Sequence, residues 1–495
     1  MIGCVSHDPR ANQITSAPSN PHSTTMAPST SDLHAQILKQ DAFEDLKTKP
    51  VYLAKVEVNG GDRFTREFFN KLLTPLVEQS DYTFSQLLEK ADQSYVNLEK
   101  TQVFKQISPS FHIDYILPVP EKPSYNIEKP IVAKVIFDLE PAEISAGEAS
   151  LGFNSEDNLV VDLGYVNNNF NHNAELVNIG VNYRPYKPSE HLVSTMRVVS
   201  NLRNPTFKFI LDLYNSHDNN QLWQQNSSRA TGGVIGVSWL NLAKTFSVFN
   251  GLALTKRTIY DIDDGAHDSL KVFGGDYLKS SIVSRLAYSN VGHLGSSHSF
   301  PASGISATLS NEICLDQEQE VTTNNLTVFV KTATTFNLYK SFLNNALTAH
   351  FFKEAGAIYT SSTSGSGIHL ADRFYLGGFS SFRGFARNSV NEQGGSQFYK
   401  AGLTLYSKLP TLIPDKYAVE PNPLRLYATG AVGSVGDNVF KDDGVFSAGV
   451  GLKFFNKWAH LDAGYYVSQR LNSSNTYGVR DGFQLEISLG GTTRT

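Results

Sequence analysis

The sequence predicts a mainly β protein: a 16-stranded antiparallel transmembrane β-barrel preceded by one small α+β domain of order β-α-α-β-β. Three observations carry this. Helix-period segments are confined to the region before Pro141. Beyond it, short runs of alternating apolar and polar residues recur to the C-terminus. One stretch of roughly forty residues, 356–395, breaks that rhythm while remaining rich in glycine and aromatic residues.

Residues 1–49 are rich in Ser, Thr, Pro and Asn and poor in apolar residues, the composition of a disordered segment. They lack the apolar core of a secretory signal, and Arg10, their only arginine, makes them a poor amphipathic presequence. The α+β domain spans 50–140. Val51–Val58 reads as a strand ending at Asn59-Gly60-Gly61. From Thr65 to Leu76, Phe68, Phe69, Leu72, Leu73 and Leu76 share one helix face. Thr83 caps a second helix with Phe84, Leu87, Leu88, Ala91, Tyr95 and Leu98 inward. Alternation at Phe111, Ile113 and Tyr115, then at Ile131, Ala133, Val135 and Phe137, gives two closing strands.

The barrel is expected over 141–495, with strands starting near 145, 158, 174, 190, 206, 228, 243, 279, 303, 325, 345, 396, 424, 444, 458 and 480. Typical runs are Phe207, Phe209, Leu211, Leu213 and Phe446, Ala448, Val450, Leu452, Phe454, alternating with polar or small residues. Each run of about ten residues is long enough for a tilted strand to cross a bilayer. Short turns after even strands and long loops after odd ones are the connections of a membrane barrel, although 290–302 and 408–421 depart from that rule. A soluble sandwich or propeller would explain the alternation as well. No blade-sized repeat is present, and a water-soluble barrel this wide would have a large interior to fill.

Within 356–395 lies Leu376-Gly377-Gly378-Phe379-Ser380-Ser381-Phe382-Arg383-Gly384-Phe385. Adjacent glycines allow close backbone approach, the phenylalanines offer area to bury, and the arginine needs an acceptor. Two readings fit: a loop folded back into a cavity, or a plain surface loop.

Composition excludes several classes. A net charge of −5 argues against a nucleic-acid surface. Two cysteines, Cys4 and Cys314, cannot form a disulfide framework. No run approaches eighteen apolar residues, so no transmembrane helix is expected. There is no Gly-x-Ser-x-Gly, phosphate loop or His-Glu-x-x-His, and His293 and His298 lack acidic or thiol companions. No enzyme activity, cofactor or metal site is expected.

The β-α-α-β-β unit before a sixteen-strand barrel, with Gly377, Gly378, Phe382, Arg383, Gly384 and Phe385 between strands eleven and twelve, resembles the BamA superfamily of outer-membrane assembly proteins. That family carries polypeptide-transport-associated domains and a Val/Ile-Arg-Gly-Phe/Tyr loop inside the barrel. One such domain, no secretory signal and a Ser/Thr-rich N-terminal segment look like the mitochondrial branch, the channel subunit of the sorting and assembly machinery. Ala146-Gly147-Glu148, Asn169 and Ala174-Glu175-Leu176 match the family's first hairpin and following turn. Pro301 and Gly304 match a Pro-x-x-Gly turn before strand nine, and Gly394-Gly395 a pair before strand twelve. Departures are Ser297-His298-Ser299 in place of charged residues, Ala386-Arg387-Asn388 in place of Gly-Pro-Arg, and Phe382 in place of Val or Ile.

The resemblance implies an insertase without covalent chemistry, sited in the mitochondrial outer membrane with its N-terminal domain in the intermembrane space. Its first and last strands, near 145–153 (Ala146, Gly147, Gly152) and 482–489 (Gly482, Leu485, Ile487), would pair weakly and open sideways. Glycine inside a strand lowers its stability. The exposed edge would accept the last strand, or β-signal, of a barrel precursor by strand addition. Partners implied are β-barrel precursors, metaxin-like peripheral subunits and the lipid bilayer, with no nucleic acid. Arg383 would anchor the loop to a carboxylate on the inner wall, Asp462 or Glu486. Two rivals stand beside this: a channel of the same superfamily passing chains through the lumen, and a porin-like metabolite channel, which would not need residues 51–138.

Overall fold

The computed structural model describes residues 2–3, 46–119, 121–122, 129–186, 190–202, 204–294, 300–319, 328–360, 368–409, 423–456, 459–472 and 476–494. The expectation for residues 1–49 lies almost wholly outside them. The chain divides into two compact units, one N-terminal, with which 168–175 and 203–205 are grouped, and one made of the remaining residues from Ser145 onward.

In the N-terminal unit the sheet order is β1-β2-β5-β4: β1 (Ile2–Gly3), β2 (Pro50–Asn59), β4 (Phe104–Ile113) and β5 (Ile131–Pro141), with β3 (Asp81–Thr83) beside β2. Two helices cover it, α1 (Arg66–Val77) and α2 (Phe84–Thr101). The Thr65 side chain caps α1 by accepting from the Phe68 N–H. Thr83 and Gln86 form a reciprocal capping box on α2. Phe68, Phe69, Leu72, Leu73 and Leu76 are buried, as the helical spacing requires, against Val56, Val58, Val135 and Phe137 of the sheet. The three-residue β3 escaped the sequence reading because it is too short to show a period. Phe111 and Ile113 alternate as expected but sit exposed on edge strand β4.

The second unit is a closed antiparallel barrel of sixteen strands. It runs β6 (Ser145–Asn154), β7 (Asn158–Asn167), β8 (Leu176–Arg184), β9 (His191–Asn201), β10 (Phe207–Asn219), β11 (Ser227–Leu240), β12 (Phe246–Tyr260) and β13 (Gly275–Ser289). It continues with β15 (Phe300–Gln319), β16 (Phe329–Phe342), β17 (Leu347–Thr360), β18 (Gln397–Lys408), β19 (Leu424–Gly436), β20 (Val445–Phe455), β21 (Ala459–Arg470) and β22 (Gly482–Arg494). A three-residue β14 (Gly292–Leu294) pairs with the start of β15, and a one-turn helix, α3 (Asp268–Lys271), lies between β12 and β13. Outward positions such as Leu163, Tyr165, Leu213, Leu252, Leu254, Val450, Tyr465 and Val467 are exposed and apolar, while alternate positions turn inward.

The structure departs from the sequence expectation at two places. The pattern-breaking loop begins after Thr360, because 356–360 complete β17 by pairing with β16; small residues at Ala355, Gly356 and Ala357 hide that strand's end. Pro301 and Gly304 lie inside the first rungs of β15 and not in a turn before it. Gly304 is required there, since φ is +117° and a Cβ would stand 1.9 Å from the Asn290 carbonyl oxygen.

Candidate functional site

Residues 368–396, between β17 and β18, fold against the inner wall of the barrel. Its Ile368, Phe374, Leu376, Phe382, Phe385 and Val390 are buried in one cluster with the wall residues Cys314, Phe329, Ile358, Val435 and Val445. The aromatic content that distinguishes this loop from a solvated linker is what fills that cluster.

Two motif glycines are dictated by backbone and space. Gly377 has φ +122°, and a Cβ there would stand 2.3 Å from the Ala386 carbonyl oxygen. Gly384 has φ +88° and would place a Cβ 2.0 Å from Ser468 Oγ on β21. The tight turn they allow, with Phe382 N–H donating to the Gly378 carbonyl, swings Arg383 onto the wall.

Arg383 donates Nη1 and Nη2 to the two oxygens of Asp462, each at 2.8 Å, in the fork geometry of a bidentate pair. Nη1 also donates to the Tyr466 hydroxyl at 2.8 Å, and the guanidinium lies 4.1 Å from the centre of the Phe379 ring. Asp462 is 2% exposed; it accepts from the Tyr427 hydroxyl at 2.8 Å and faces Lys453 Nζ at 3.1 Å. Glu486 stands farther off, 3.9 Å from Nη2. An open cavity of about 330 Å³ adjoins this cluster, lined by Arg383, Lys400, Lys453, Asp462 and Glu486 among others.

A second anchor was invisible in the sequence. Asp372, 2% exposed, accepts two hydrogen bonds from Arg257 on β12 (2.7 and 2.8 Å), one from Lys279 on β13 (2.7 Å) and one from Gln317 on β15 (2.9 Å). Lys331 on β16 donates to its backbone carbonyl at 2.7 Å. Burial by itself would raise the Asp372 carboxyl, but Arg257 and Lys279 outweigh it and hold the group well below the usual carboxylate range. The loop thus presents a cation to one side of the wall and an anion to another. The only sequence cue was a lone acid in the apolar run Ile368-His369-Leu370-Ala371-Asp372; its four wall partners are scattered over seventy-five residues of other strands.

The loop also adds itself to the segment before β22. Ala386 N–H donates to the Gly478 carbonyl at 2.7 Å and Arg480 N–H to the Gly384 carbonyl at 2.8 Å, with Phe385 and Val479 bridged. Arg470 ties the same corner by donating to the carbonyls of Ser389, Val390 and Tyr477.

The expected gate residues lie on neighbouring strands. Ala146, Gly147 and Gly152 are on β6; Gly482, Leu485 and Ile487 are on β22. The two strands pair antiparallel from Glu486–Asn154 to Arg494–Ala146, with Gly152 opposite Ser488 and Ile487 opposite Phe153. Leu485 meets the turn after β6 through its carbonyl, which accepts from Ser155 N–H at 2.9 Å, while Gly482 is opposite Tyr466 of β21 alone. The seam has nine paired positions against seven between β7 and β8, so any weakness does not lie in its length.

Among known proteins, an Omp85 superfamily domain model matches residues 145–481. The fold is similar to BamA from Haemophilus ducreyi lacking POTRA domains 1–3 (14% identity, 89% of this chain and 85% of that one, TM-score 0.68). It is also similar to CdiB from Acinetobacter baumannii (12% identity, 94% and 82%, TM-score 0.55). No curated protein matches the sequence. A family match over the whole span from first barrel strand to the threshold of the last makes this chain a member of the Omp85 superfamily, an outer-membrane β-barrel of the kind that inserts or translocates proteins.

Proposed function

We propose that the protein inserts and assembles β-barrel precursors into the mitochondrial outer membrane through lateral opening between β6 and β22. The observation that carries this is topological. Every other neighbouring pair among the sixteen long strands is joined by the chain that runs directly between its members (β13 and β15 by way of the short β14), whereas β22 and β6 are the last and first strands and are held by non-covalent contacts alone. Parting them exposes two rows of backbone N–H and C=O groups without dragging a turn through the membrane. In lipid those groups demand partners, and a precursor's terminal strand supplies them by strand addition.

The loop supports the same reading. Held by Asp462 on one side and by Arg257, Lys279 and Gln317 on another, it occupies the lumen a translocating chain would need. The N-terminal unit would then lie in the intermembrane space and receive precursors there, with metaxin-like subunits on the opposite face.

The test is disulfide trapping during import. Cys4 and Cys314 are replaced, and single cysteines are placed at Ser150 in β6 or Gln484 in β22. A precursor with a cysteine in its last strand is arrested midway. Register-specific bonds to β6 are expected. Bonds confined to lumen positions such as Lys208 or Asp212, with the seam intact, would establish a through-channel instead.

A further inference from the structure

At the long-loop end of the seam, the arginine loop touches both sides of it. On the β22 side it is bonded to Gly478 and Arg480, as described above. On the β6 side its partner is the tight turn Ser155–Asp157 between β6 and β7. The half-buried Glu156 accepts a hydrogen bond from the Phe379 N–H at 2.7 Å, and a Cβ on Gly378 would stand 3.1 Å from the same carboxylate oxygen. Arg387, at the end of the motif, lies 3.7 Å from Asp157, which is itself buried and paired to Arg184 at 3.1 Å. The turn is pre-shaped for this contact, because the Asn154 side chain accepts from the Glu156 and Asp157 N–H groups.

We propose that Glu156 is a positioning residue that latches the arginine loop to the first hairpin, so that β6 separates from β22 only when this bond is released. β6 cannot swing away from β22 while its turn is held to a loop that is bonded on its other flank to the residues leading into β22. The loop therefore acts as a clasp across the seam, and its displacement and seam opening are one event. A precursor strand that displaces Phe379 from Glu156 would unlock the edge it is about to pair with. This rests on the lateral-opening reading, but its test needs no precursor, so the two fail separately.

The experiment is hydrogen exchange, followed by mass spectrometry, on the full chain in lipid nanodiscs, comparing wild type with Glu156→Ala and Glu156→Gln. When reclosing is fast, the exchange rate of a paired amide scales with its open population. Loss of one bond to a charged group predicts about tenfold faster exchange, equivalent to about 1.4 kcal/mol, in peptides covering 146–153 and 486–490. Peptides from β16 and β17 should be unchanged. Glu156→Gln, which keeps an acceptor oxygen but no charge, should fall between the two. Seam amides within about twofold of wild type in Glu156→Ala would overturn the latch, as would acceleration spread evenly around the barrel. Either result would leave the disulfide-trapping test of insertion untouched.

Discussion

Arg383 has more to lose than a charge. Its two parallel bonds to Asp462, a third to Tyr466 and its stacking on Phe379 all depend on the planar fork. Arg383→Lys keeps the charge and is expected to lose about 1.5–3 kcal/mol of loop anchoring, the worth of a hydrogen bond between charged groups. Limited proteolysis of the loop and precursor assembly rates should both show it, with Arg383→Ala worse. A reciprocal swap is the less informative test. Asp462→Arg would place a guanidinium beside Lys453, 3.1 Å from the present carboxylate, so failure to rescue would follow whether or not the pair matters. Gly384→Ala isolates geometry from charge. The new Cβ would collide with Ser468 and be held in a left-handed conformation, so the turn must rearrange, and assembly should fall to near the level of Arg383→Ala. Wild-type rates in that variant would show that the turn's position is irrelevant. The sequence leaves two lumen-facing carboxylates, Asp462 and Glu486, as partners for the motif arginine, and alternation alone cannot choose between them; the 2.8 Å bonds to Asp462 against 3.9 Å to Glu486 do.

At the scale of the element, the loop is a short folded body in its own right, with an apolar cluster and two ionic anchors of opposite sense. Asp372 was not legible because its partners, three cations and Gln317, come from four strands and look, one at a time, like ordinary solvated side chains. Asp372→Asn removes the anion from Arg257, whereas Lys279 keeps Glu312, 2.5 Å away. Breaking a buried pair by removing one partner costs about 3–5 kcal/mol, so the loop should become protease-sensitive at sites now shielded. The pH dependence has a definite sign. A carboxyl held below its unfolded value of about 3.9 contributes stability that is complete above that value and lost as pH falls through the lower folded one. Loop protection should therefore be flat from pH 8 to about pH 5. A wild-type loop that loosens over that interval would require a different titrating group. The end of β17 is hidden in the sequence for a related reason: Ala355-Gly356-Ala357 carries too little side chain to show alternation, and pairing with β16 decides it.

At the scale of the whole molecule, the strand number and nearly every strand start were legible because alternation is imposed twice, by lipid outside and by the lumen inside. What the sequence did not carry was which neighbours are uneven. Strands β6 to β9 have 10, 10, 9 and 11 residues, whereas β10 to β13 have 13, 14, 15 and 15. The wall on one side of the seam is thus close to the shortest strand length that crosses a bilayer. A short edge leaves few unpaired backbone groups when it parts and gives an entering strand a short path. If the proposed gate is the working part, a bond across it must stop assembly without disturbing the rest of the wall. Ser150 and Gly490 are directly opposed on β6 and β22, so Ser150→Cys with Gly490→Cys in a background free of Cys4 and Cys314 offers such a bond. Oxidised, this variant should bind precursor yet release no integrated product, and reduction should restore assembly within the same sample. Thr334→Cys with Ala355→Cys, an opposed pair between β16 and β17, is the matched control and should assemble precursors in either redox state. Full activity with the seam covalently closed would move the path of the substrate into the lumen, and the loop would then have to leave it.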